Sequence, residues 1–296
     1  MNKATVLRVV GADAYLLEGD KKFSALVLKK LKLKGLCAGD IVEYSFDAIN
    51  NTFIVQNICE RRNHIDRPNI SNVDKAFIVI SKEPQADLFL VDKMLVYLGI
   101  EGILPFIIVS KADIVDDGFI ENIKCQFSGC VQKVIVLSSK TGAGLDEFMV
   151  ETKGCISVLV GQSAVGKSSL LNTLGIRKIK TDTIALKVGK KKSRGKNTTK
   201  NSELYVTNYG SMIADTPGFK MLAIEDMDDT ELTHYYPDIR KFAVKCKYKN
   251  CTHLPNNDGC EVVAALNNGK INKDRYNRYI KVKSAFKGVK AEIING

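Results

Sequence analysis

Eight consecutive residues, Gly161-Gln162-Ser163-Ala164-Val165-Gly166-Lys167-Ser168, follow the pattern G-x-x-x-x-G-K-[ST]. In a loop of this type the glycines let backbone N–H groups curl around phosphates, the lysine reaches the outer phosphates, and the following hydroxyl ligates Mg²⁺. The apolar run before it and "SLLNTL" after it supply the strand-to-helix setting the motif requires, and Ser169 carries the loop into that helix. Asp215-Thr216-Pro217-Gly218 follows a second apolar run, "SMIA". There Asp215 is expected to hold the Mg²⁺ water and Gly218 to sense the γ-phosphate. The interval between the two motifs is the basic stretch "LKVGKKKSRGKNTTK". A threonine is needed here to meet Mg²⁺ and the γ-phosphate, and Thr198-Thr199 is the natural place; Thr199 is taken as the ligand, although the sequence does not separate the two.

A base reader lies about fifty residues ahead of the phosphate loop: Ser110-Lys111-Ala112-Asp113, at the end of the apolar "ILPFIIV". The Asp113 carboxylate can accept both N1–H and the exocyclic N2–H of guanine, a pairing adenine cannot offer. Lys111 can lay its alkyl stem along the base. "SSKTGAGLDEF" then resembles a loop supporting the guanine O6, with Ser139 and Lys140 at the contact positions. In chain order the loops run base reader, base support, phosphate loop, threonine loop, DTPG, a cyclic rotation of the usual GTPase order. A site at the ends of parallel strands requires only that each loop be in place, so the original termini can be joined and the chain reopened elsewhere.

A third constellation, Cys246-x4-Cys251-x-His253-x6-Cys260, gathers three thiolates and an imidazole within fifteen residues. Cys₃His is a common closed tetrahedral zinc set, structural rather than catalytic, and in so polar a segment the metal supplies folding energy. The other cysteines, Cys37, Cys59, Cys125, Cys130 and Cys155, stand in apolar or isolated contexts and are expected to pack. With no export signal, eight cysteines are not expected to form a disulfide framework.

The elements that must position these groups fall into three segments of a 296-residue chain with 45% hydrophobic and 26% charged residues. Residues 1–62 alternate apolar and polar positions in five short runs, which fits a small Greek-key barrel of the oligonucleotide-binding type. Phe23, Tyr44, Phe46 and Phe53 there suit either its core or base stacking. Residues 63–222 alternate buried strands ("KAFIVIS", "ILPFIIVS", "KVIVLSS", "GCISVLVGQ") with amphipathic helices, the signature of a parallel α/β sheet that binds ligands at its strand carboxyl ends. Residues 223–296 are polar and helical around the cysteine cluster. No run approaches the ~20 apolar residues of a membrane span, and no leader is evident, so a cytoplasmic monomer without membrane contact is expected. The net charge of +11 points to a polyanionic partner, nucleic acid first.

Taken together, "AGDIVEY", "RRNHIDRP" with "SNVDK", the permuted motifs and the Cys246/Cys251/His253/Cys260 set resemble the circularly permuted, small-ribosomal-subunit-dependent GTPases of the RsgA or YjeQ/YloQ type, over residues 1 to 290. The resemblance implies a barrel and a zinc domain flanking a GTPase, GTP and GDP as ligands, Mg²⁺ and one structural Zn²⁺ as cofactors, and docking on the small subunit and its rRNA, which stimulates hydrolysis late in subunit maturation. Three departures stand out. Ser110 replaces the usual asparagine of the base reader; Asn197 stands where the family's presumed catalytic histidine would be; and the His-to-Cys spacing is one residue longer. Asparagine cannot act as a general base but can orient a water. The residue after DTPG is Phe219, not a glutamine, so slow intrinsic turnover is expected, with Asn197 the candidate for positioning water beside Lys167 and Thr199.

Overall fold

The computed structural model describes residues 2–66, 68–176, 202–215 and 229–286. The first five strands, β1 (Asn2–Val10), β2 (Asp13–Glu18), β3 (Lys21–Val27), β4 (Ile41–Asp47) and β5 (Thr52–Ile58), close into a barrel in the order β1-β2-β3-β5-β4. Every pairing is antiparallel except β3 with β5. Period-two alternation puts Val6, Leu16, Ala25, Val42, Tyr44 and Val55 inside. Between β3 and β4 the short α1 (Lys29–Leu33) contributes Leu31 to that core and keeps its lysines in solvent.

Asp40 fastens the barrel to the segment after β5. Its buried carboxylate accepts from Arg61 Nε at 2.6 Å, Ser71 Oγ at 2.6 Å and the Cys37 amide at 2.9 Å. Gly39 lies so close to this segment that a Cβ would come within 2.0 Å of the Ser71 carbonyl oxygen, at a φ of +87° that favours glycine. The segment is a hairpin of β6 (His64–Asp66) and β7 (Asn69–Ser71), whose Ile65 and Ile70 join the core of the central sheet.

The central sheet comprises β8 (Lys75–Ile80), β9 (Leu104–Val109), β10 (Val134–Val136), β11 (Ile156–Val160), β12 (Leu204–Val206) and β13 (Met212–Asp215), ordered β10-β9-β8-β11-β13-β12. All neighbours are parallel except β12 with β13. Continuous apolar strands follow from burial on both faces. One face carries α2 (Leu88–Ile100) and α3 (Asp117–Phe127), capped by the carboxylates of Asp87 and Asp116, which each accept an amide at 3.0 Å. The other face carries α4 (Leu145–Thr152) and α5 (Lys167–Thr173).

Four further helices complete the described residues: α6 (Asp229–His234), α7 (Pro237–Ala243), α8 (Glu261–Asn267) and α9 (Lys273–Phe286). The segment "DTELTHYYPDIRKF" forms two helices, because Pro237 cannot continue α6 and is suited to the first turn of α7. Leu232, Tyr236, Ile239, Val262 and Tyr279 form their core, and Val96 of α2 completes it. Helix α2 is therefore apolar on two sides, as a helix between two cores must be.

One buried ionic cluster crosses that boundary. Asp92 of α2, fully buried, accepts from Arg275 Nη1 and, at 2.6 Å, from Arg278 Nε of α9. Arg275 also reaches Asp238 at 3.2 Å, and Arg278 donates to Gln126 Oε1 at 2.7 Å. Removing the acid while leaving two arginines buried is expected to lower the unfolding free energy of Asp92→Ala by about 3–5 kcal/mol, measured by denaturant titration against wild type.

Candidate functional site

The loop after β11 is shaped by backbone proximity. Gly161 runs against β8 so tightly that a Cβ would sit 2.3 Å from the Val79 carbonyl oxygen, and Gly166 begins α5 at a φ of +104°. Ala164 holds a φ of +62° without glycine's freedom, at a cost of roughly 1–2 kcal/mol. Lys167 donates through Nζ to the carbonyl oxygens of Gly161 at 2.6 Å and Gln162 at 2.5 Å, so its charge lies inside the curl of the loop. Ser163 and Val165 complete the curl, and Ser168 and Ser169 occupy the first turn of α5. Gln162 turns sideways: its Oε1 accepts from the amide of Asp87, the capping residue of α2, at 3.0 Å.

The base reader follows β9, two strands from β11. Ser110 is buried beneath the phosphate loop, with Oγ 2.9 Å from the Ile80 carbonyl oxygen and 2.5 Å from that of Val165. The sequence places it among the nucleotide contacts, and here its hydroxyl ties the base-reading strand to the phosphate loop. Lys111, at a φ of +57°, donates to the Glu83 carbonyl oxygen at 2.6 Å. Asp113 Oδ1 accepts from Ser138 Oγ at 2.7 Å, and Lys140 Nζ lies 3.7 Å from Oδ2. The Ser138 hydroxyl, more than any other group, holds the Asp113 carboxyl below its ordinary range.

Ser138 itself accepts from the Lys140 and Thr141 amides at 3.3 Å each, which orders the base-supporting loop. Sequence reasoning selects Ser139 and Lys140 and passes over Ser138, whose only signal is its place as the first of two serines closing an apolar strand. Ser139 is anchored through its carbonyl oxygen, which accepts from Thr173 Oγ1 of α5 at 3.2 Å. Asp215 ends β13 in register with Leu159, two residues before the phosphate loop begins. Asn197, Thr198, Thr199 and Gly218 lie outside the described residues. The base reader, base support and phosphate loop thus meet at the carboxyl ends of β9, β10 and β11.

The cysteine cluster is a separate site between α7 and α8. The donor atoms of Cys246, Cys251, His253 and Cys260 all lie within 4.8 Å of one another. Cys246 Sγ is 3.6 Å and Cys260 Sγ 3.7 Å from His253 Nδ1, and the two sulfurs are 4.0 Å apart. A tetrahedral zinc ion requires about 3.8 Å between sulfurs and about 3.6 Å between sulfur and nitrogen, so donor set and spacing fit a metal such as zinc. Helix α9 secures the ligand loop: Tyr276 donates to the His253 carbonyl oxygen and Lys283 to that of Thr252, each at 2.6 Å.

Ser110→Ala, which cuts the tie to Val165, is expected to weaken GDP binding about 10-fold, the value of one buried hydrogen bond. Ser138→Ala adds a pH effect: a guanine contact through Asp113 requires its carboxylate form, so such binding is expected above its pKa and lost as pH falls through it. Without the Ser138 hydroxyl that loss begins at higher pH, as a fluorescent-GDP titration across pH will show. Stripping the metal with a chelator is expected to melt α6–α9, read as lost helical circular dichroism that one equivalent of zinc restores.

Residues 58–225 match the RsgA GTPase family. A small ribosomal subunit biogenesis GTPase RsgA of Halalkalibacterium halodurans is 36% identical over 95% of both chains. Its counterpart from Bacillus anthracis is 36% identical over 86% of this chain and 85% of its own. Among solved structures, YjeQ from Thermotoga maritima superposes with a TM-score of 0.79 at 27% identity, covering 97% of this chain and 99% of its own. YloQ, a circularly permuted GTPase, gives 0.78 at 28% identity over 98% and 96%. With its recognition loops meeting in rotated order on one sheet, and its relatedness running the length of the chain, this GTP hydrolase belongs to the RsgA GTPase family.

Proposed function

We propose that this protein binds the small ribosomal subunit and hydrolyses GTP during its late maturation, with hydrolysis stimulated by the subunit. The observation that carries the reading is end-to-end similarity to relatives named for small-subunit biogenesis, in a chain of net charge +11. Its division is read as a barrel over 1–62, a permuted GTPase over 63–222 and a zinc domain over 223–296. The lysines of α1 (Lys29, Lys30, Lys32) and Lys34 are exposed with no acid among them, and Lys247, Tyr248 and Lys249 are exposed beside the metal cluster. Such surfaces suit rRNA phosphates. In the barrel, Tyr44 is buried while Phe46 is 53% exposed and stands 5.2 Å from Phe53, so the aromatic row runs from core to surface and offers one ring for stacking. Among the described residues no helix is long and apolar enough to cross a membrane; a cytoplasmic monomer fits this setting.

In the hydrolytic site Asp113 and Lys111 select guanine, Ser139 and Lys140 support the base, and the amides from Gly161 to Ser169 with Lys167 hold the phosphates. Lys167 would leave the Gly161 and Gln162 carbonyls for phosphate oxygens, stabilising the negative charge of the transition state. Ser168, Thr199 and Asp215 suit a hard oxygen-seeking cation, and Mg²⁺ bound there would neutralise charge on the β- and γ-phosphates. Asn197 orients the attacking water without taking its proton, and Gly218 senses the γ-phosphate. A second reading, a GTP-gated assembly module that turns over little, is favoured by one feature: Asn197 in place of the presumed catalytic histidine.

Phosphate release from GTP and ATP, with and without saturating small subunits, separates the readings. Stimulation of GTP turnover by orders of magnitude, with ATP inert, is expected; tight nucleotide-dependent subunit binding at background turnover would replace it with the gated module. Single-turnover hydrolysis by Asn197→Ala equal to wild type would remove that side chain from the mechanism.

A further inference from the structure

The geometry points to Gln162 as a positioning residue that fastens the phosphate loop to α2 and, through α2, passes the state of the nucleotide site to the metal-binding helices. The inference rests on the phosphate loop binding nucleotide and not on any ribosomal partner. Gln162 meets the site twice. Its carbonyl oxygen accepts from Lys167 Nζ at 2.5 Å, while its side-chain Oε1 accepts from the Asp87 amide at 3.0 Å. A phosphate that engages Lys167 competes with the Gln162 carbonyl for the ammonium. The residue whose main chain answers to phosphate is therefore the one whose side chain grips the start of α2.

Helix α2 is 13 residues long, and its Val96 side is packed into the core of the last four helices. Five residues beyond Asp87 comes the buried Asp92, held by Arg275 and Arg278, and Val96 lies in the helical core. Helix α9, which supplies both arginines, donates from Tyr276 and Lys283 to the backbone of His253 and Thr252 in the ligand loop. Phosphate loop, α2, α9 and metal loop are thus joined in series by hydrogen bonds and buried ion pairs, the contiguous physical connection that coupling between sites can use. The chain also runs directly from β13 through residues 216–228 into α6, which is the rival route.

The test is amide hydrogen exchange of the full, zinc-loaded chain with and without GDP, with GDP affinity measured in the same samples by fluorescent-nucleotide titration. In wild type, GDP is expected to slow exchange in α9 and residues 246–260 by about 5-fold or more, the lower end of ordinary coupling. Gln162→Met, which keeps the length but lacks the acceptor, should bind GDP yet leave α9 within about two-fold of its nucleotide-free rate. Arg278→Gln, remote from the nucleotide, should lose the distant response with GDP affinity unchanged. A full response in Gln162→Met would overturn the inference in favour of the β13 route. Protection confined to the nucleotide site in wild type would overturn it as well. Failure of wild type to bind GDP, seen in the titration alone, would remove both the nucleotide reading and its consequence.

Discussion

Strand β8 is the part on which the nucleotide site depends. It lies between the strand that carries the base reader and the strand that carries the phosphate loop, and both loops are set against its last carbonyls. Gly161 is pressed onto Val79, and Ser110 reaches from Ile80 to Val165. The loop that leaves β8 makes the next two contacts, since Glu83 receives Lys111 and Asp87 donates to Gln162. Residues Ala76 through Ile80 are all buried, so β8 cannot shift without disturbing both faces of the sheet. The candidate base-reading and phosphate loops are two strand intervals apart, and β8 fixes that width.

The same economy governs the junctions between parts. Asp40 joins the barrel to the segment after β5 through Arg61 and Ser71, and Asp92 joins sheet to helical bundle through two arginines. A buried ion pair of this kind gains little over a well-packed apolar contact, but it is intolerant of wrong partners. Its presence where two cores meet argues for a defined docking angle rather than for bulk stability. Gly99 serves the same boundary by lacking a side chain, because a Cβ there would come within 2.6 Å of the Tyr235 ring.

The candidate residues that the fold brings together are those whose pattern in the sequence is local. The phosphate loop spans eight residues, the base reader four and the Cys/His set fifteen, each within one loop and its flanks. The strands 75–80 and 104–109 were legible because burial on both faces leaves an unbroken apolar run. What escaped has no local mark. The β6–β7 hairpin is held by tertiary hydrogen bonds from Ser71 to Asp40 and from the adjoining Asn72 to the Gly39 carbonyl oxygen, and its strands are three residues long. Asp92 and Arg275 are 183 residues apart, and Gln162 and Asp87 are 75 apart, so neither pair leaves a periodicity to read. Ser110 shows the limit most clearly: as a letter it was a lost asparagine amide, and only the fold shows a hydroxyl under the loop.

The permutation also decides where the outer parts are attached. The barrel and hairpin enter the sheet at the amino end of β8, while the helical part leaves from the carboxyl end of β13, the end at which the loops gather. Across the sheet the barrel meets β12 through Arg8 and Glu203, 3.3 Å apart. The two appendages are consequently attached in different ways: the helical part is docked on α2 through Val96 and the Asp92 cluster, and the barrel is docked at the opposite end and side of the sheet. The cluster that docks the helical part therefore lies on the helix whose first turn touches the phosphate loop, while the contacts that dock the barrel lie away from the loops that gather at the strand carboxyl ends.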